Sequence, residues 1–548
     1  MLHLILVLAL LITQDKEERP LAPEQLRRAG EVAGLEFSDA ELELMLDEAC
    51  ENLESYRKLW GVELDNAVAP VVAFSPILPG MSFPPETLPA VPRALPELER
   101  PESLEELAFA DIPTLASLIR SRKVSCAELT EMYLARLKRF DPQLLAVVTL
   151  CEERARAQAR ALDLELERGE WRGLLHGIPW GAKDLLATRG VRTTWGAEPY
   201  QEQVLGEDAA VVERLDAAGA VLIAKLSLGA LAMGDVWFGG KTRNPWKPEQ
   251  GSSGSSAGPA AATAAGCVAF AIGSETCGSI LSPSARCGCS SLRPTFGRVS
   301  RRGAMALAWS MDKLGPICRS AGDAAIVFAA IQGPDPRDES TVAMPFADLG
   351  RTSVKGLTAG YVKGAWRSEE REQGIVASLE AIGLEPLAVE LPDYPVDALM
   401  VLLSAEAATA FDELTRSGRD DLLARQDRRA WPTIFRAARL IPAVEYIRAN
   451  RVRRLLMQDY ARLMERVDVL VHPTTHGATL VGLNMTGHPT VCVPASPRED
   501  GTPRSLAFTG RLFAEGRLLA VAEAWQERGE DHRRRPPLFA VPAAEAGR

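Results

Sequence analysis

Gly251-Ser252-Ser253-Gly254-Ser255-Ser256-Ala257-Gly258 opens the stretch on which the fold turns. Pro259 and the run Ala260-Ala261-Ala262-Thr263-Ala264-Ala265-Gly266 follow, then the apolar segment Val268-Ala269-Phe270-Ala271-Ile272. A second small-residue stretch, Gly273-Ser274-Glu275-Thr276-Cys277-Gly278-Ser279-Ile280, closes the unit. Small residues let the backbone approach a neighbour closely while presenting hydroxyls. A flexible linker has a similar composition, but a linker does not run directly into an Ala-rich helical pattern and a buried-looking strand. The order of loop, helix, strand and loop is that of a layered α/β unit.

Working outward, the same alternation continues. Gly177-Ile178-Pro179-Trp180 reads as a strand, Ala209 to Ala217 as a helix and Val221-Leu222-Ile223-Ala224 as a strand. Downstream come a helix from Asp323 to Ile331, a long helical stretch from Val396 to Glu465, and strands at Val467 to Val471 and Thr490 to Val493. The fold class this predicts is α/β, with a large mixed, mostly parallel central sheet sandwiched by helices.

The N-terminal part is different in kind. Leu2 to Ile12 form an apolar run of signal-peptide length, without a preceding Lys or Arg and without an A-x-A cleavage pattern. Residues 1–14 are therefore a candidate export signal (to the periplasm or medium), the other reading being the first turns of a buried helix in a cytoplasmic protein. Residues 15–69 read as a helical extension, with Ser38-Asp39-Ala40-Glu41 placed to cap a helix through Leu44, Met45 and Leu46. Nine prolines lie between Pro70 and Pro101, which rules out regular helix or central strand and marks residues 70–101 as an extended connector. The catalytic domain is expected at residues 102–540. It begins with two capping-box patterns, Ser103-Leu104-Glu105-Glu106 and Ser125-Cys126-Ala127-Glu128, the second heading an amphipathic helix through Leu129, Tyr133, Leu134 and Leu137.

Composition removes several function classes. With 548 residues, 47% of them hydrophobic, the chain can bury a large core. Its formal charge of −11, with no basic cluster interleaved with aromatics, argues against a nucleic-acid partner. No stable membrane span is expected, because the leading apolar run is too short to cross a bilayer. The nine cysteines lack paired C-x-x-C units; they read as buried small hydrophobes, and neither a metal site nor a cofactor is implied.

Three stretches carry candidate chemistry. In Gly177-Ile178-Pro179-Trp180-Gly181-Ala182-Lys183-Asp184 a lysine ends an apolar strand. Desolvation lowers a lysine pKa and leaves a neutral amine able to accept a proton near pH 7; a lysine that snorkels, or that pairs with Asp184 at the surface, is the plainer reading. The turn before Ser279 offers the backbone amides of Thr276, Cys277 and Gly278 to a developing oxyanion. Gly254-Ser255-Ser256-Ala257-Gly258 also matches the G-x-S-x-G nucleophile elbow, with Ser256 attacking and His472, His476 or His488 completing a triad. That motif must follow a strand, and Lys241-Thr242-Arg243-Asn244-Pro245-Trp246-Lys247-Pro248 does not read as one. Gly239-Gly240-Lys241-Thr242 fails as a P-loop, since Gly234 stands one position too early.

Together the three stretches resemble the amidase-signature family, over roughly residues 106 to 530. The resemblance continues in Arg293-Pro294-Thr295-Phe296-Gly297-Arg298-Val299-Ser300, in Asp312-Lys313-Leu314-Gly315-Pro316 and in Thr486-Gly487-His488-Pro489. It implies an amidase-signature fold and a Ser-cisSer-Lys triad: Lys183 as base, Ser255 as bridging serine behind a cis Gly254–Ser255 bond, Ser279 as nucleophile. Ser256 and Gly254 are then supports of the bridging loop. It also implies hydrolysis of the carboxamide C–N bond of a small-molecule amide through an acyl-enzyme, without a cofactor. Cys277 stands where many members have glycine, Leu281 where many have arginine, and Gly258-Pro259 where Gly-Ser is usual, so substrate preference does not transfer. Two other functions stay open, an ammonia-supplying amidotransferase A-type subunit working with a partner and, behind it, an α/β-hydrolase-type esterase using Ser256; a catalytically dead scaffold is disfavoured because all three hydroxyl and amine positions are present. Neither the amide nor the oligomeric state follows from the sequence.

Overall fold

Trp180 and Phe270 stack with ring centroids 6.0 Å apart, and this pair joins the two strands that matter most. The structure, a computed structural model, describes residues 19–60, 62, 65–68, 73–475 and 477–540. The candidate signal at residues 1–14 lies outside them. The main sheet has eleven strands, numbered here in chain order: β1 (Val147–Leu150), β2 (Pro179–Lys183), β3 (Val221–Leu226), β4 (Phe270–Glu275), β5 (Ser290–Arg293), β6 (Lys313–Cys318), β7 (Thr358–Val362), β8 (Glu385–Val389), β9 (Val469–Pro473), β10 (Thr490–Ala495) and β11 (Arg504–Gly510). Their spatial order is β1-β3-β2-β4-β6-β5-β10-β11-β9-β7-β8.

The sheet is mixed and flanked by helices, as the alternation predicts, but it is not mostly parallel. β2 pairs parallel with β3 and β4, and β7 with β8 and β9. All the other pairings, through β6, β5, β10 and β11 and at β1, are antiparallel. A strand buried on both faces reads as an apolar run whichever way it points. Direction is set by where the chain re-enters the sheet, which composition does not record.

These directions decide where the site sits. β2 and β4 run side by side and end at Lys183 and Glu275, while antiparallel β6 begins at that same edge with Lys313 opposite Glu275. β2, β3, β5 and β6 are buried at every position, and β4 at all but Ser274. Small residues make this packing close: a Cβ on Gly181 would meet Leu226 Cδ1 at 2.3 Å, and one on Gly315 would meet the Leu292 carbonyl at 2.0 Å.

The Ser125 capping box forms as expected, heading the helix Cys126–Leu144; the Ser103 box heads a 3-10 turn, Leu104–Phe109. Residues 396–465 are several helices, the longest being Ala443–Glu465. The extension contains helices Pro23–Val32 and Asp39–Trp60, with Ser38 capping the second through Glu41. The Pro-rich connector wraps the body. Arg93 bridges Asp348 and Glu523 at 2.6 Å each, Val91 N–H donates to Leu349 O, and Arg517 pairs with Glu86 at 2.8 Å. Among the described residues no helix is long and apolar enough to cross a membrane. All nine cysteines are free, most of them buried.

Candidate active site

Lys183 is completely buried, and four oxygens surround its amine. Nζ lies 2.8 Å from Ser255 Oγ, 3.0 Å from Ser256 Oγ, 2.9 Å from Ser274 Oγ and 3.3 Å from Ser274 O. An ammonium has three N–H donors, so it cannot donate to all four at once. A neutral amine donates two and accepts one through its lone pair. Burial drives the Lys183 pKa far below the usual lysine value, with the charges of Asp312 and Glu275 pulling weakly the other way. Asp184 does not pair with it; that carboxylate is buried against Lys225 at 3.0 Å and accepts from Thr194 N–H.

The Gly-Ser loop reaches the lysine through a tightly built turn. The Gly254–Ser255 peptide is cis and Ser253 is left-handed at φ 63°. A Cβ on Gly254 would sit 1.8 Å from the Gly234 carbonyl, so no other residue fits there. Ser256 starts the helix Ala257–Ala264. Its hydroxyl accepts from Ser274 N–H at 3.2 Å and contacts Ser274 O at 3.1 Å; its amide donates to Ser279 O at 3.0 Å. Ser256 thus stitches the Gly-Ser loop to the turn that follows β4.

That turn presents a row of unpartnered backbone amides. The amides of Thr276, Cys277, Gly278 and Ser279 make no hydrogen bond among the described residues. Gly278 sits at φ 85°, the left-handed region open to glycine. Fully buried Glu275 braces the turn from beneath, accepting from Ile280 N–H at 2.8 Å and Leu281 N–H at 3.0 Å. Arg293 Nη1 at 2.9 Å and Asn484 Nδ2 at 3.0 Å hold its other oxygen. Burial alone would raise the Glu275 pKa, but the charges of Arg293 and Lys313 outweigh it and hold it at about 2. The Ser279 hydroxyl is half-buried and has no hydrogen-bond partner among the described residues, Ser255 included. Bonds of this kind commonly tighten only in the Michaelis complex.

The structure therefore brings Lys183, Ser255, Ser256 and the turn carrying Ser279 to one edge of the sheet, and it adds residues that the sequence reading passed over. Ser274 supplies two of the four oxygens around Lys183. Lys313 is a further buried lysine, its Nζ 3.4 Å from Thr276 O and its pKa lowered to about 7 by burial and by Arg293. Asp312 accepts from Thr276 Oγ1 at 2.5 Å and from the amides of Leu307 and Ala308. The signal for both was present: Asp312-Lys313 also places a charged pair at the start of an apolar strand. A cavity of about 360 Å³ opens beside Ser274 and Thr276, and Ala67, Ala73 and Phe74 of the N-terminal segment form part of its wall.

Among the described residues the nucleophile-elbow geometry is not formed. A short strand, Lys247–Gly251, does precede the loop, contrary to the sequence reading, but it pairs with Arg243–Asn244 in a separate ribbon outside the main sheet. Ser256 Oγ is engaged by Lys183 and Ser274, not by a histidine. His472 contacts Thr509, His488 contacts Thr486, and His476 lies outside the described residues.

The Amidase family model matches residues 128–481. The chain belongs to the amidase family. Among curated relatives, the A subunit of the glutamyl-tRNA(Gln) amidotransferase of Thermosynechococcus vestitus is 33% identical over 473 residues, spanning 77% of this chain and 98% of that protein. Among solved structures, the native peptide amidase from Stenotrophomonas maltophilia superposes with a TM-score of 0.70 at 29% identity, over 80% of this chain and 100% of that one. The A subunit of the Thermotoga maritima glutamyl-tRNA(Gln) amidotransferase gives 0.66 at 25% identity, over 79% and 97%. Amidase-family membership thus agrees with the resemblance carried by the three motifs.

Proposed function

We propose that this amidase-family chain opens a carboxamide C–N bond through an acyl-enzyme on Ser279. The observation that carries the reading is the contact of a buried, deprotonation-prone Lys183 with Ser255, beside a turn of unpartnered amides that ends at Ser279. Neutral Lys183 accepts the Ser255 proton as Ser255 takes that of Ser279. Ser279 Oγ attacks the carbonyl carbon, and the oxyanion forms against the amides of Thr276, Cys277 and Gly278, with Ser279 N–H as a fourth donor. On collapse the C–N bond breaks and the proton returns through Ser255 to the amine, which leaves poorly unless protonated. Water, activated by the same relay, releases the acid.

A second reading shares this half-reaction. In it the amide is glutamine and the ammonia passes to a partner protein, as befits an amidotransferase A-type subunit. The two amidotransferase A subunits quoted above, one a curated relative and one a solved structure, favour it. The helical extension and connector before residue 102, outside the matched family region, favour a free-standing hydrolase. Hydrolysis of a panel of aryl, alkyl and peptide amides by the purified chain tests the first reading. Turnover of several non-glutamine amides by the chain alone supports it; glutaminase activity that appears only with an added partner overturns it in favour of the second.

A further inference from the structure

The edge of the sheet opposite Lys183 holds a second constellation. β10 runs from Thr490, beside Arg293 at the active-site edge, to Ala495 at the far edge, where Arg504 of β11 faces it. At about 3.3 Å per residue, the two edges are roughly 17 Å apart. Beyond Ala495 a cavity of about 260 Å³ lies between these strand ends, the helix Glu369–Ala381 and the end of the helix Glu515–Arg528.

Its charge is unbalanced. Arg371, Arg504 and Arg528 line it against a single carboxylate, Asp531. The guanidinium groups of Arg371 and Arg504 have no side-chain partner among the described residues, and Arg528 reaches only Ser378 Oγ, at 3.1 Å. After burial, Arg504, Arg367 and Arg498 are close enough to depress Arg371 by repulsion; after burial, Arg286, Arg504 and Arg367 do the same to Arg498, opposed there by Asp500. Like charges gathered around a concave surface in excess of their counter-charge repel one another unless an anion joins them, and the planar guanidinium fork matches the oxygens of phosphate. Trp525 and Ile375 supply an apolar wall beside the arginines.

We infer that this cavity is a binding site for a compact multivalent oxyanion, the phosphate group of a small phosphorylated molecule, separate from the amide-opening site. Three guanidinium groups against one carboxylate suit a dianion better than a monocarboxylate. The apolar wall suits a phosphate that carries an organic body.

Isothermal titration calorimetry of the full chain tests it, with pyrophosphate, inorganic phosphate and phenyl phosphate at fixed ionic strength. Saturable binding of one equivalent is expected, with phenyl phosphate at least several-fold tighter than inorganic phosphate if the natural ligand carries an organic body, and no tighter if it is the free ion. Arg371→Gln with Arg504→Gln should weaken pyrophosphate binding at least tenfold, and Arg504→Lys, which keeps charge without the fork, by less. Because a variant that misfolds would mislead, the unsubstituted chain supplies an independent readout: pyrophosphate should raise its Tm beyond sodium chloride of equal ionic strength. Absence of saturable binding, equal Tm in the two salts, or undiminished affinity in the folded double variant would overturn the inference.

Discussion

The Lys183 amine stands 2.8 Å from Ser255 Oγ with no carboxylate of the described residues bonded to it, and several consequences depend on that spacing. A lysine in an ion pair stays charged and cannot act as a base. Lys183 is kept from that fate by Lys225, which takes the neighbouring Asp184.

Activity should rise with pH. The folded-state pKa of Lys183 is lowered, so the neutral, proton-accepting form is already present below the range in which a solvated lysine titrates, and the acidic limb of kcat/KM should have its midpoint well below 10.5. Lys183→Ala should lose about 10²–10⁴-fold in kcat, the usual contribution of a positioned base. A variant that retained both rate and pH profile would place the base elsewhere.

Replacing Glu275 with Gln should destabilise the fold and misalign the turn. The carboxyl titrates at about 2 rather than 4.5, so its stabilising contribution is complete above pH 4.5 and is lost as the pH falls toward 2. Glu275→Gln leaves Arg293 without its counter-charge, at a cost of about 3–5 kcal/mol at pH 7, and should flatten that acid limb. Urea melts at pH 7 and pH 3 measure both; an equal midpoint for the two proteins at pH 7 contradicts the bracing role.

The N-terminal segment should influence substrate binding. Asn66 exchanges two hydrogen bonds with the Ala306 backbone, at 3.0 and 2.6 Å, and Phe74 packs 5.0 Å from Phe296 with the Arg453 guanidinium 3.6 Å above its ring. If the cavity these residues help enclose takes one end of the amide, Phe74→Ala should raise KM several-fold with kcat little changed. Unchanged KM across the amide panel would make the segment a purely structural strap.

Much of this was legible in the sequence, for identifiable reasons. Lys183 at the end of an apolar strand, the paired serines before an Ala-rich helix and the Gly278-Ser279 turn each violate what a core or a linker requires, and such local conflicts mark sites. Less legible was whatever depends on distant chain segments. The parallel or antiparallel choice at β6, β5 and β10 depends on chain re-entry, and the Glu275–Arg293–Asn484 network joins residues far apart in the chain. Arg371 and Arg504 do not stand out in a sequence with 62 basic residues until the fold brings both to one cavity with no ion-pair partner among the described residues.

The central claim is that Ser279 carries the acyl group, with Ser255 relaying its proton and Ser256 holding the loops together. Treatment with a fluorophosphonate followed by peptide mapping tests it most directly. One adduct is expected, in the segment from Gly278 to Arg286. Ser279→Ala should abolish both labelling and turnover, Ser255→Ala should reduce them severely, and Ser256→Ala should reduce them least. An adduct on Ser256, with Ser279→Ala still active, would contradict the account.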